Sequence, residues 1–289
     1  GREGFAPLAI AGGTLGGGVT TLDAGESSQY LSAILLAALR APAEVVVEVG
    51  ALTSRPYVEV TLAAAAAFGG RIEALDGGAF RVHPFLAPPA RVRVEGDWSA
   101  ACYPAAAAAM TGGEVTLEGL LPDSPQGDRG FLDLLAGMGA EAAWRGGELI
   151  VRGPGPRGLR AVEADLSSMP DQVPTLAALA PFARGTTRIG NVPHLRIKES
   201  DRLGAMAAEL GKLGAPVEEG PDSLTIPGLW HDGLPPAGEV VVDPHDDHRI
   251  AMSLALVGLR RPGVRIATPG VVAKSYPAFW EDLQSLLAD

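Results

Sequence analysis

The sequence predicts an α/β (α+β) chain built from repeated βαβαββ units in two domains, and three observations carry that expectation. A helix ending in glycine, then a turn and a strand, recurs at Phe68-Gly69-Gly70-Arg71-Ile72-Glu73, Met138-Gly139-Ala140-Glu141 and Leu213-Gly214-Ala215-Pro216-Val217-Glu218. Its glycines lie 70 and then 75 residues apart. A second strand follows each time, at Ala79–Val82, Glu148–Val151 and Ser223–Ile226. Upstream of each lie a small-residue helix and a strand. A period this long exceeds the common solenoid repeats and suits a small α/β module packed with copies of itself.

Taken in order, Gly1 to Gly18 is irregular. Its run Gly12-Gly13-Thr14-Leu15-Gly16-Gly17-Gly18 is a turn signal that does not follow a strand and open a helix, so it is no dinucleotide fingerprint. Helices are expected to begin near Ser27-Ser28-Gln29, Asp97-Trp98-Ser99, Pro170-Asp171 and Asp247-His248-Arg249, where capping residues or proline precede apolar runs. Strands are expected at Val45–Val49, Val115–Leu117, Thr187–Ile189 and Val264–Ile266. A right-handed crossover inside each unit would lay strands parallel, and the hairpin would add an antiparallel partner. The Ala63–Ala67 and Ala105–Ala109 runs suggest tight helix–helix packing within each domain. Three full copies are visible, and a fourth stops after a helix at Ala278–Leu287. The seam falls at Val94-Glu95-Gly96-Asp97, giving a first domain at 1–95 with one repeat and a second at 96–289 with two and a half.

With 289 residues, 47% hydrophobic and 20% charged, the chain has the composition of a globular protein large enough for two cores. A formal charge of −11 argues against nucleic-acid or anionic-membrane partners, which need basic surface. The single Cys102 excludes an internal disulfide framework and any multi-cysteine zinc site, and in its alanine-rich helix it reads as a small buried apolar residue. There is no apolar run of about 18 residues and no basic-then-apolar leader. A cytoplasmic enzyme that is a monomer, with no metal and no cofactor, is the expectation.

The stretch Lys198-Glu199-Ser200-Asp201-Arg202 holds four formal charges in five residues. Leu203, Met206, Ala207, Leu210 and Leu213 follow at helical spacing, and Gly214 supplies a stop. Were the helix to begin at the cluster, Lys198 and Arg202 would share a face, as would Glu199 and Arg202. Free N–H groups of its first turn would then add to the cations to hold an anion. The plainer reading is a solvated helix start with intrahelical ion pairs.

Six motifs carry a resemblance along nearly the whole chain. They are Ser27-Ser28-Gln29, Ser54-Arg55-Pro56-Tyr57, Pro170-Asp171, Lys198-Glu199-Ser200-Asp201-Arg202, Asp246-Asp247-His248-Arg249-Ile250-Ala251-Met252 and Ala273-Lys274-Ser275-Tyr276-Pro277. Together, and in this order, the chain resembles the 5-enolpyruvylshikimate-3-phosphate synthases. The resemblance implies an enolpyruvyl transferase-like inverse barrel, two domains of three such units around an inter-domain cleft. It also implies transfer of the enolpyruvyl group of phosphoenolpyruvate to the 5-hydroxyl of shikimate 3-phosphate, by addition and then elimination of phosphate. Members begin with a further segment not present here, so a fragment of a longer enzyme is expected.

By resemblance, Asp171 is the base at the 5-hydroxyl, Glu199 moves a proton at the methylene carbon, and Lys198 reaches the shikimate side or the reacting centre. Read from its neighbours alone, Asp171 between Pro170 and Pro174 is equally a helix cap. Arg202, Arg249 and Lys274 would hold phosphoenolpyruvate, arginine through its two-pronged fork and lysine as a point charge. Asp247 as a cap followed by a solvated Arg249 is the alternative there. Ser27, Ser28 and Gln29 resemble the loop on the phosphate of shikimate 3-phosphate, Gln29 also touching phosphoenolpyruvate. Ser54 and Tyr57 join that site, and His194 stands where the family often has Asn beside a shikimate hydroxyl. Arg55 and His248 receive no role. Two rivals remain: the sister transferase acting on UDP-N-acetylglucosamine, and a non-catalytic remnant that binds phosphorylated ligands.

Overall fold

The computed structural model describes residues 7–9, 11–85, 87–230 and 238–287. The expected irregularity of positions 1–6 and 10 lies outside the described residues. The chain divides into two compact units, Gly1–Val92 and Arg93–Asp289, each with its own apolar core.

The first unit runs β1 (Gly18–Ala24), α1 (Ser28–Ala38), β2 (Val45–Leu52), α2 (Pro56–Ala67), β3 (Ile72–Ala74) and β4 (Phe80–Val82). β1 and β2 pair in parallel, from Gly18 opposite Val45 to Ala24 opposite Leu52. β4 is antiparallel to both β2 and β3, giving the sheet order β1-β2-β4-β3. Period-two burial of Val45 and Val47 sets the inner face of β2, while α1 covers it with Leu31, Leu35 and Ala38 at helical spacing. The alanine run of α2 departs from expectation. Of Ala63–Ala67 only Ala65 is buried, because the inward stripe of α2 is Val58, Thr61 and Ala65. The other alanines of the run are exposed and favour the helix by propensity.

The second unit opens with α3 (Trp98–Thr111), β5 (Glu114–Leu117), α4 (Phe131–Met138), β6 (Glu141–Arg145) and β7 (Glu148–Arg152). β8 (Glu163–Asp165), α5 (Val173–Leu179), β9 (Thr186–Gly190), α6 (Arg202–Lys212), β10 (Glu218–Glu219) and β11 (Leu224–Pro227) follow. β12 (Val240–Val242), α7 (His248–Gly258), β13 (Val264–Ile266) and α8 (Phe279–Ser285) complete it. The order β8-β9-β11-β10, with β8 and β9 parallel and the rest antiparallel, reproduces the first unit strand for strand. Among the described residues, the copy at β5-β7-β6 has the antiparallel part alone, and the last copy has only the parallel pair β12-β13. The three repeat glycines, Gly69, Gly139 and Gly214, all have positive φ (86°, 107° and 93°). Each turns the chain just past a helix in the left-handed conformation that glycine adopts without a Cβ clash.

α3, α5 and α7 pack on one another. Every residue of α5 is buried, and so is Ala105–Ala109 in α3. Helices apolar all round belong in an interior, and small side chains let three of them approach. The helices fix the geometry of the loops at their N-termini. In every copy with a parallel pair, two loops leave the carboxyl ends of neighbouring parallel strands, the edge at which open α/β sheets bind ligands.

Two substitutions test this packing by urea unfolding. Leu176→Ala in α5, fully buried, should lower stability by about 2–5 kcal/mol with little change in the denaturant slope. A Cβ on Gly153 would stand 2.3 Å from the Ala108 carbonyl oxygen of α3, so Gly153→Ala should cost about 1–3 kcal/mol by overpacking.

Candidate active site

The loops after β8, β9, β12 and β13 bring Asp171, Glu199, Arg202, Asp247, Arg249 and Lys274 into one ion network. Arg202 is its centre. It is the first residue of α6, and its side chain is only 2% exposed. Nε donates to Asp247 Oδ2 at 2.7 Å, Nη1 to Asp171 Oδ1 at 2.8 Å and Nη2 to Glu199 Oε2 at 2.8 Å. Three carboxylates from three loops thus share one guanidinium fork. The network continues on both sides. Arg249 Nη2 lies 2.8 Å from Asp171 Oδ2, and Lys274 Nζ donates to Glu199 Oε1 at 2.6 Å.

Local structure aims each group. Asp171 sits in the short 3-10 turn Pro170–Gln172 that leads into α5. Asp247 is fully buried and caps α7: its Oδ1 accepts from Arg249 N at 2.9 Å, while Oδ2 takes Arg202 and the Ser200 hydroxyl. Before it, His245 and Asp246 both adopt positive φ, 53° and 55°, a strained arrangement for non-glycine residues. Glu209 of α6, 1% exposed at its side chain, fastens that loop by accepting from Asp243 N at 2.9 Å and bonding His245 Nε2 at 3.0 Å. Lys274 ends the turn Pro269–Lys274 after β13.

Burial pushes the Glu199 acid up. The Lys274 hydrogen bond and the Arg202 charge outweigh it and hold the group down at about 2. Burial lowers His194, which is 8% exposed, and the Lys198 and Arg202 charges add to that effect while Asp171 opposes it. His194 thus feels the charges of Lys198, Arg202 and Asp171 together. His248 is likewise lowered, by burial and by Arg249.

Several expectations need correction. α6 begins at Arg202 because Asp201 caps it, accepting from Gly204 N at 3.1 Å. Lys198 and Glu199 thus precede the helix, Lys198 at φ −85° and ψ −148°, and the face-sharing of Lys198 with Arg202 does not arise. Glu199 does meet Arg202, but from a loop. The solvated reading of the cluster also fails, since Arg202 is buried. The N-cap position of that turn is Met169, not Asp171, and the Asp171 oxygens meet the two arginines. Arg249 is 13% exposed at its side chain and ion-paired, so the solvated alternative fails there too, although Asp247 is a cap as that alternative held.

The first unit carries Ser27, Ser28, Gln29, Ser54 and Tyr57. Ser27 caps α1, its Oγ accepting from Gln29 N at 3.3 Å, and Ser28 is buried while Gln29 is exposed. Ser54 lies in the loop between β2 and α2 at φ 48°, and its carbonyl accepts from Tyr57 N at 3.2 Å. Thr53 N donates to the Ala24 carbonyl at 3.2 Å, which ties the two loops side by side at the carboxyl ends of β1 and β2. Those motifs form one edge of the unit. Sequence reasoning missed that Asp247 is the inner partner of Arg202, and it passed over Asp128 and Gln172 beneath the Asp171 turn. The repeat itself was the available signal for Asp128, whose copy had no residue assigned.

A family model described as EPSP synthase (3-phosphoshikimate 1-carboxyvinyltransferase) matches residues 1–283. The 3-phosphoshikimate 1-carboxyvinyltransferase of Syntrophobacter fumaroxidans is 47% identical over 291 residues, covering 98% of this chain and 66% of that protein. The protein of the same name from Methanoculleus marisnigri is 45% identical over 286 residues, covering 98% of this chain and 65% of its own length. A solved EPSP synthase structure from Acinetobacter baumannii superposes with a TM-score of 0.76 at 30% identity, covering 94% of this chain and 63% of that one. The chain thus spans just under two thirds of the length of the relatives it matches.

Two outcomes follow from the network. Arg202→Met leaves the buried Asp247 carboxylate without its partner and should destabilise the fold by about 3–5 kcal/mol, part of which Arg202→Met with Asp247→Asn should restore in urea unfolding. Glu199 titrates below its ordinary 4.5, so its contribution to stability is complete above that value and is lost as pH falls towards 2. Lys274→Met should move the Glu199 carboxyl upward in a carbon-13 NMR titration.

Proposed function

Because this chain belongs to the EPSP synthase family, we propose that it transfers the enolpyruvyl group of phosphoenolpyruvate to the 5-hydroxyl of shikimate 3-phosphate and releases phosphate. One observation carries the reading. Three cations and two partly accessible carboxylates from four loops meet at one place, as a reaction of phosphorylated anions with two proton transfers requires.

In this reading Asp171 takes the proton of the 5-hydroxyl as its oxygen bonds to C2 of phosphoenolpyruvate, and C3 gains a proton through Glu199 or Lys198. C3 then loses a proton, the bond from C2 to the phosphate oxygen breaks, and the double bond returns. Positioned acid–base groups are worth about 10²–10⁴-fold each, and fixed cations stabilise the charge that develops on the leaving phosphate. Ser27, Ser28, Gln29, Ser54 and Tyr57 hold the phosphate of shikimate 3-phosphate, with His194 and Lys198 at its ring and Gln29 also touching phosphoenolpyruvate. Arg202, Arg249 and Lys274 hold phosphoenolpyruvate.

The ion pairs suggest how binding primes the chemistry. The carboxylate and phosphate of phosphoenolpyruvate compete with Asp171 and Glu199 for the same three cations. A carboxylate that loses a cation becomes a stronger base, so Glu199 rises from about 2 towards a range useful for proton transfer. The interactions that bind the substrate thereby release the groups that act on it.

The two units are read as the repeat-built domains of the family, and a monomer suffices for the ion network because one chain supplies all of it. The cytoplasm is the proposed setting, since both substrates are charged metabolites that do not cross a bilayer unaided.

The test is phosphate release from shikimate 3-phosphate and phosphoenolpyruvate. Asp171→Asn should lower kcat by about 10²–10⁴-fold, and Arg249→Ala should raise the KM for phosphoenolpyruvate. Tight binding of both substrates with no phosphate release would favour a ligand-binding chain without turnover.

A further inference from the structure

Every parallel strand pair feeds its two following loops into the proposed chemistry, and the second copy stands apart. Its equivalent positions, the start of α3 at Asp97-Trp98-Ser99 and the segment Gln126-Gly127-Asp128 before α4, have received no role. Those two segments meet. Asp128 is 4% exposed, and its Oδ2 accepts from the Ser99 hydroxyl and, at 2.9 Å, from Gln172 Nε2. Gln172 is fully buried and follows Asp171 directly in the turn Pro170–Gln172.

We propose that Asp128 is a positioning residue for Asp171, acting by anchoring Gln172 and with it the turn that carries the proposed base; the inference rests on the reading of Asp171 as that base. The turn has no capping side chain of its own, and beyond it α5 is apolar and buried, apart from the hydroxyl of Thr175. The Asp128–Gln172 bond is therefore a polar side-chain tie on the inner side of the turn. On the other side Arg202 and Arg249 pull on the Asp171 carboxylate at 2.8 Å each. Both of these arginines are groups that the substrate competes for, so the pull on the carboxylate changes when the substrate arrives. An anchor through the neighbouring residue, in a position no ligand contests, keeps the base in place through that exchange.

The surroundings of Asp128 are built for this. Its carbonyl accepts from Cys102 Sγ at 3.5 Å, and Trp98 N donates to Gln126 Oε1 at 2.9 Å, so the segment that carries Asp128 is tied to the first half of α3. Burial raises the Asp128 acid and the nearby Asp171 charge raises it further, against the Ser99 and Gln172 hydrogen bonds. A carboxyl kept there at such expense has a use that an apolar filler lacks.

The experiment compares Asp128→Ala, Asp128→Asn, Gln172→Leu and Asp171→Asn in the phosphate-release assay. Asn retains an acceptor oxygen for Ser99 and Gln172, so Asp128→Asn should keep kcat within a few fold of wild type. Asp128→Ala and Gln172→Leu should lower kcat by about 10²-fold, the effect of misplacing a reacting group by about 1 Å, while both KM values stay near those of wild type. Wild-type kcat in Asp128→Ala, or kcat and KM failing together, overturns the inference. If Asp171→Asn turns over normally, the base reading falls; if it is inactive and Asp128→Ala is normal, only the positioning role falls. Amide hydrogen exchange at Asp171 and Gln172 gives a readout independent of turnover. It should quicken roughly tenfold or more in Asp128→Ala and not in Asp128→Asn, and unchanged exchange in Asp128→Ala overturns the proposal.

Discussion

The interior of the second unit depends on one requirement: the guanidinium of Arg202 must be fully paired. A buried charge is tolerated only when opposite charge and hydrogen bonds replace the water it has lost. Its Nε, Nη1 and Nη2 each meet a carboxylate within 2.8 Å, and those carboxylates come from loops far apart in sequence. α6 cannot be placed without the start of α7 and the turn before α5. The pairing is a folding constraint as well as a chemical one.

The repeat satisfies that constraint. Each copy with a parallel strand pair ends its two strands at one edge, and the next helices start there. Helix starts are where the chain has spare N–H groups and where capping side chains are favoured. Ser27, Asp201 and Asp247 cap three of these helices, and Asp97 caps α3 in the copy without a parallel pair. Two of these caps also bind a cation, since Asp201 takes Arg196 and Asp247 takes Arg202. Capping and ion pairing are thus made by the same side chains, which joins local helix stability to the geometry of the site.

The buried helices complete the arrangement. α3 and α5 are rich in alanine, and with α7 they pack on one another so that their starts gather. Larger side chains there would spread the loops that carry Asp171, Arg249 and the Ser99–Asp128 pair. The alanine run in α2 has the same composition and lies exposed, so composition by itself does not decide which alanine helix becomes interior. The surrounding layers decide that.

The sequence alone determined the period, the helix starts and most strands, because glycine turns, capping residues and apolar spacing act over a few residues. It located Asp171, Glu199, Arg202, Arg249 and Lys274 as motifs. It erred at Lys198, where helical spacing was extended across a cap, and it was silent on Asp128 and Gln172, whose polarity looks ordinary in a row of letters. Only the tertiary structure decided which carboxylate meets which cation, and that Asp247 closes the third side of Arg202. Asp171 and Asp247 lie 31 and 45 residues from Arg202 along the chain, and electrostatic pairing depends on distance in space, which no local pattern encodes.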